Sequence, residues 1–151
     1  MTQNENWMKL ALREADQAFK VNEVPVGAII VREGKIIGKG FNQVEHLQDP
    51  TAHAEMIALT AAANHLESKR LDKCIMYVTL EPCPMCAGAI ILSRISTLVF
   101  GAYDSKAGAC GTLYNIPEDK RLNNSVHVVG GVLDRESEVL MKEFFRKQRK
   151  K

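Results

Sequence analysis

Two short stretches hold the residue types that do chemistry: His53-Ala54-Glu55 and Pro82-Cys83-Pro84-Met85-Cys86. Cys83 and Cys86 are three apart, so a helical first turn brings both thiols to one face. The positive end of a helix dipole there favours thiolates, the form that binds zinc. His53 makes a third ligand. A structural zinc site usually closes with a fourth protein ligand, whereas a catalytic one leaves that position to water. Glu55 is a carboxylate placed to manage the protons of such a water, so the set reads as a hydrolytic site. Residues two apart do not share a face of a regular helix. The helix start must therefore orient His53 and Glu55 in a special way. Two other readings stand beside this one. Cys83 and Cys86 could form a thioredoxin-like redox pair, which leaves His53-Ala54-Glu55 without a role. They could also be half of a structural zinc site, although no second Cys-x-x-Cys is present. Cys74 and Cys110 read as small buried apolar residues. His46, His65 and His127 read as surface or hydrogen-bonded histidines.

The elements around these stretches follow from periodicity. Residues 5–20 carry Met8, Leu12, Ala15 and Phe19 at helical spacing. Val24–Val31 and Ile36–Phe41, joined at Glu33-Gly34, read as a β-hairpin. Residues 43–52 read as a loop. A helix follows from about Ala52 to Leu66, with Thr51 as its N-cap. Ile75–Leu80 is a strand running into the Cys-x-x-Cys, and prolines there suit the first turn of a helix. That helix extends to about Ser93, and Ile95–Phe100 closes a βαβ unit. Residues 101–125 are loop-like, Val126–Val129 is a short strand, and Asp134–Arg149 is a final helix. The pattern predicts an α/β fold of three layers, α/β/α, with a five-stranded sheet. The cysteine pair then follows the carboxyl end of a strand, where open α/β sheets place their ligands.

The 151 residues fit one domain, residues 1–151. With 46% hydrophobic and 25% charged residues, the composition excludes a disordered chain, a coiled coil and a collagen-like repeat. Four cysteines are too few for a disulfide scaffold. The polar N-terminus lacks a signal-peptide core, and no apolar run reaches the ~20 residues of a membrane span. A cytoplasmic protein without a membrane partner is expected. The net charge of +2 conceals an asymmetry. The last ten residues hold six basic side chains and one acid, a net of +5, so the other 141 carry −3. Such a basic helix end is either a solvated C-terminus or a contact for a phosphate backbone.

His-x-Glu followed by Pro-Cys-x-x-Cys is the known signature of the cytidine-deaminase-like zinc deaminases, and the sequence resembles that superfamily. Within it the chain resembles the bacterial tRNA-specific adenosine deaminases from about residue 7 to residue 149. The likeness is densest in Glu23-Val24-Pro25-Val26-Gly27-Ala28, Asp49-Pro50-Thr51-Ala52-His53-Ala54-Glu55 and Tyr77-Val78-Thr79-Leu80-Glu81-Pro82-Cys83. It continues through Met85-Cys86-Ala87-Gly88-Ala89, Ser93-Arg94-Ile95, Phe100-Gly101-Ala102 and Phe144-Phe145-Arg146.

The resemblance implies a cytidine-deaminase-like fold with a mixed sheet, one Zn2+ per subunit on His53, Cys83 and Cys86, and Glu55 as the catalytic proton carrier. It implies hydrolysis of the wobble adenosine of a tRNA anticodon to inosine, with the ACG-anticodon arginine tRNA as the usual substrate. It also implies a homodimer whose two subunits form the RNA surface. Asn42 would contact the flipped nucleoside, the backbone near Ala54 the base edge, and Lys106 and Asn123 the RNA. Two departures touch the RNA surface only. Asn123-Asn124-Ser125 lacks the His and basic residue that often follow the Asn, and Tyr103 stands where relatives often carry a polar group. Tyr103 could stack on a base or simply pack. The alternative activity is deamination of guanine, cytosine or a nucleotide. A non-enzymatic zinc-stabilised or redox-active domain is the third reading.

Overall fold

The computed structural model describes residues 1–122 and 126–150. Thr2 opens the first helix, α1 (Gln3–Lys20), with a capping box: its hydroxyl accepts from the Glu5 N–H and the Glu5 carboxylate accepts from the Thr2 N–H. The hairpin follows as β1 (Gly27–Arg32) and β2 (Lys35–Phe41). Then come α2 (Val44–Leu47), α3 (Ala54–Leu66), β3 (Ile75–Leu80), α4 (Pro84–Leu92) and β4 (Thr97–Ala102). A 3-10 turn (Lys120–Leu122), β5 (His127–Val129) and α5 (Asp134–Arg149) complete the chain.

The strands form one sheet in the order β2-β1-β3-β4-β5. β1 pairs antiparallel with β2 and β3, while β3, β4 and β5 run parallel, so the sheet is mixed. Alternation along the strands feeds two cores. Ala28, Ile30, Met76, Val78, Leu98 and Phe100 pack with Ala54, Ala58, Ala87 and Ile90 of α3 and α4. Ile29, Val31, Tyr77 and Val99 pack with Met8 and Ala11 of α1. α5 lies on the α1 side, where Phe144 meets Phe19 edge-on at 6.1 Å. The Ser137 hydroxyl donates to the Thr79 carbonyl at 2.6 Å and fixes α5 to β3. No helix among the described residues is long and apolar enough to cross a membrane.

Four expectations need correcting. The segment 43–52 contains the helical turn α2, whose last residue passes into a left-handed Gln48. Thr51 is not the cap of α3. It sits in a turn made by Asp49, whose Oδ1 accepts from the Thr51 N–H and hydroxyl, and His53 is the N-cap. β1 starts at Gly27, because Val24 and Pro25 lead into the sheet rather than pair within it. β4 starts at Thr97, since left-handed Arg94 (φ 64°) ends the helical turn and Ile95 still donates to Ile90.

Candidate metal centre and cleft

The site depends on how closely α3 lies on the sheet. Gly40 of β2 faces the start of α3, and a Cβ there would stand 2.7 Å from the Ala54 carbonyl oxygen. Only glycine allows that approach. It brings the N-terminus of α3 down to the end of the sheet where the central strand β3 runs into Cys83. His53 keeps extended backbone (φ −76°, ψ 152°) as the N-cap, whereas Glu55 is already helical. The rule that residues two apart diverge on a helix therefore does not apply to this pair. Cys83 is likewise the N-cap of α4, with φ −77° and ψ 173° and Pro84 at the first helical position. The thiols thus meet as N-cap and N3, the pairing of a capping box, and not as two residues of one helical turn.

Cys83 Sγ lies 3.7 Å and Cys86 Sγ 3.5 Å from His53 Nδ1. All three ligand atoms fall within 4.8 Å of one another. A tetrahedral ion bonded at about 2.3 Å to sulfur and about 2.0 Å to nitrogen holds nitrogen and sulfur about 3.5 Å apart and the two sulfurs about 3.8 Å apart. The donor set therefore fits zinc. Electrostatics points the same way. Hydrogen bonding from Cys86, then from His53, pulls the Cys83 thiol down to about 4 against the opposing effect of burial. Cys86, beside that thiolate, buried and close to Glu55, is pushed up. The Cys83 contact raises His53 above its ordinary value. A second thiolate at Cys86, beside that of Cys83 and the buried Glu55, forms only with a compensating cation.

Glu55 is only 4% exposed. Burial pushes its carboxyl up to about 7, against its own backbone hydrogen bond and the His53 charge. A group balanced between its two protonation states near neutrality suits proton transfer.

His53, Ala54, Glu55, Cys83 and Asn42 line one cleft of about 270 Å³. Asn42, 8% exposed, follows the end of β2 and donates its N–H to the Val26 carbonyl at 3.1 Å. Lys106 is not part of that cleft. It is exposed on an adjoining groove with Lys142, Phe145 and Arg149. Asn123, with Asn124 and Ser125, lies outside the described residues. Tyr103 packs one edge on Phe100 at 5.0 Å and stays 56% exposed. Cys74 and Cys110 are buried apart from the ligand set.

The structure adds residues to which sequence reasoning gave no role. Glu23, Glu45, Glu81 and Asp104 also line the cleft. Glu23 is fully buried. It accepts from the Glu45 N–H at 3.1 Å, the His46 N–H at 2.7 Å and the His46 ring at 2.6 Å, and so holds α2 as one wall. The available signal was an acid two residues before Pro25 at the entry to a buried strand. It is too weak to read without the partners that α2 supplies.

Known proteins match the chain along its length. Residues 1–102 fit the cytidine and deoxycytidylate deaminase zinc-binding region. The tRNA-specific adenosine deaminase of Bacillus subtilis is 48% identical over 100% of this chain and 94% of its own. A structure from a study of A-to-I editing by tRNA:A34 deaminases superposes with a TM-score of 0.85 at 38% identity, covering 89% of this chain and 98% of that one. A guanine deaminase structure from Bacillus subtilis, also 38% identical, reaches 0.66 over 74% of this chain and 71% of its own. The chain belongs to the zinc-dependent cytidine and deoxycytidylate deaminase family and, within it, to the group of bacterial tRNA-specific adenosine deaminases. Zinc is the metal its His53, Cys83 and Cys86 are arranged to hold.

Proposed function

We propose that this protein hydrolyses the wobble adenosine of a tRNA anticodon to inosine, releasing ammonia, and that the ACG-anticodon arginine tRNA is its substrate. The observation that carries this is the buried Glu55 beside a three-ligand set, on the wall of a cleft sized for one base. Zinc, when bound, supplies a water that is nucleophilic at neutral pH. Glu55 accepts a proton from the attacking water as its oxygen adds to C6 of adenine. It returns that proton to N1, then takes the proton of the new C6 hydroxyl and passes it to the amine as the C6–N6 bond breaks and ammonia leaves. The cleft admits a base but not a stacked strand, so the adenosine must swing out of its stack. Asn42 contacts the flipped nucleoside. The Ala54 N–H, in the first turn of α3 where the helix offers no acceptor, meets the base edge. Lys106, on the outer groove, contacts RNA. The same role for Asn123 rests on the family resemblance.

The groove beside the cleft favours RNA over a free base. It sets Lys106, Lys142 and Arg149 around Phe145, which is 42% exposed. Cations follow phosphates and an exposed ring stacks on an unpaired base. A free base would use neither. We further propose a homodimer through α3 and α4. Leu92 at the end of α4 is 82% exposed and Leu47 57%. A shallow groove beside α3 is lined by Leu47, Met56, Ile57 and Ala61. A second copy would cover this apolar surface. Sedimentation at micromolar concentration should give twice the 16.8 kDa chain mass. The tRNA substrate places the protein in the cytoplasm.

The test is to incubate the zinc-loaded protein with ACG-anticodon tRNA and sequence for inosine at the wobble position. Conversion supports the reading. No conversion, together with turnover of free guanine or cytosine, overturns it.

A further inference from the structure

Glu81 lies two residues before Cys83 and takes no part in holding the metal. Its side chain is 2% exposed and ringed by four donors. Oε1 accepts from the Asp104 N–H at 3.0 Å and the Thr112 hydroxyl at 2.5 Å. Oε2 accepts from the Cys110 N–H at 3.1 Å and the Thr112 N–H at 3.0 Å. All four donors belong to the loop that follows β4. That loop carries Asp104 and Ala107 into the cleft and Lys106 onto the outer groove. Its other bonds to the ligand turn run from the Ala109 N–H at 2.9 Å and the Cys110 thiol at 3.8 Å to the Pro82 carbonyl. Gly108 closes the loop over the carboxylate, where a Cβ would stand 2.4 Å from Oε1. The Glu81 N–H donates to the Ala102 carbonyl at 2.8 Å, so its own backbone is fixed to β4.

We propose that Glu81 is a positioning residue for the substrate: it fixes the Asp104–Thr112 loop, as one wall of the cleft, at a set distance from the metal ligands. The inference rests on the tRNA-deaminase reading and deepens it, because this wall joins the base cleft to the RNA groove. A purely structural role would give a carboxylate whose loss lowers stability and leaves substrate affinity alone. Here the loop that the carboxylate holds contributes substrate-facing residues, so its release should act on binding first.

The test uses zinc-loaded protein and an anticodon stem-loop RNA with adenosine at the wobble position. Glu81→Gln turns an NH2 toward the Asp104 N–H or toward the N–H groups of Cys110 and Thr112, whichever way the amide lies. It should raise KM about ten-fold, the effect of an unmatched buried donor, with zinc per chain unchanged and kcat within about three-fold. Gly108→Ala should reproduce the KM rise by forcing loop and carboxylate apart while the carboxylate itself is retained. If Glu81→Gln does not fold, Gly108→Ala and Thr112→Val carry the comparison. KM values within two-fold of wild type in the variants that fold would overturn the inference, as would zinc loss in step with activity. Wild-type protein that leaves this RNA unconverted while it turns over guanine overturns the tRNA-deaminase reading instead, and the KM comparison is then made on guanine.

Discussion

The zinc corner and the substrate rim of this protein are built in different ways. The corner is made at the N-caps of two helices, and the residues just inside them, Ala54, Cys86 and Ala87, are fully buried. Close packing of helix on sheet fixes His53, Cys83, Cys86 and Glu55, leaving little room to adjust. The rim consists of a helical turn and a loop hung from two buried carboxylates, Glu23 and Glu81, by side-chain to backbone hydrogen bonds. Beyond these walls lie exposed lysines and aromatic rings. Chemistry is thus fixed by packing, and substrate recognition by a handful of polar contacts. Substitutions can change the second while sparing the first.

The sharpest way to separate the two regions is Glu55→Gln. It should lower kcat by about 10²–10⁴-fold, the range of acid–base contributions, while metal analysis still finds one zinc per chain. Parallel loss of zinc would make Glu55 part of the ligand set. Gly40→Ala attacks the corner through packing alone. A methyl 2.7 Å from the Ala54 carbonyl must push α3 off β2. Urea unfolding should show a loss of about 1–3 kcal/mol, and a metal titration should show weaker zinc binding. Unchanged zinc affinity would mean that the corner tolerates more movement than its packing implies.

On the rim, Lys106→Ala combined with Arg149→Ala should weaken tRNA binding. The salt slope of log K should fall by about 0.7–0.9 for each lost phosphate contact, with zinc content preserved. An unchanged slope would return the basic groove to a solvated helix end. The smallest effect concerns Glu23. Burial alone would raise its carboxyl, but the His46 ring and the N–H groups of His46 and Glu45 outweigh that and hold it below the ordinary 4.5. A lowered folded value means that the stability is present above about pH 4.5 and is lost as the pH falls through the folded value. Glu23→Gln should cost stability at pH 7 and flatten the acid limb of a thermal-melting profile. An unaltered acid limb would remove Glu23 from the account.

Much of this was legible in the chain. The bounds of β3 and α5 follow from their periodicity, and the ligand set follows from residue types at known spacings. The elements that shifted are those set by partners at a distance. β1 begins where Gly27 slots against α1, and Gly27 has no periodic signal of its own. α2 exists because Glu23, more than twenty positions earlier, accepts its N–H groups. The family resemblance assigned Lys106 to the RNA but could not put it on the groove outside the cleft, because a loop's direction is decided by what anchors it.

The sequence by itself determined the donor types, the strands and helices that carry them, and the charge separation between body and tail. These depend on local periodicity and on side-chain chemistry, both written in the order of residues. Only the tertiary structure decided how His53 and Glu55 could serve one site while two positions apart, since an N-cap escapes the helical geometry that separates them. It alone revealed that Glu23 and Glu81 hold the walls. A buried carboxylate takes its role from the donors around it, and those donors are brought there by the fold.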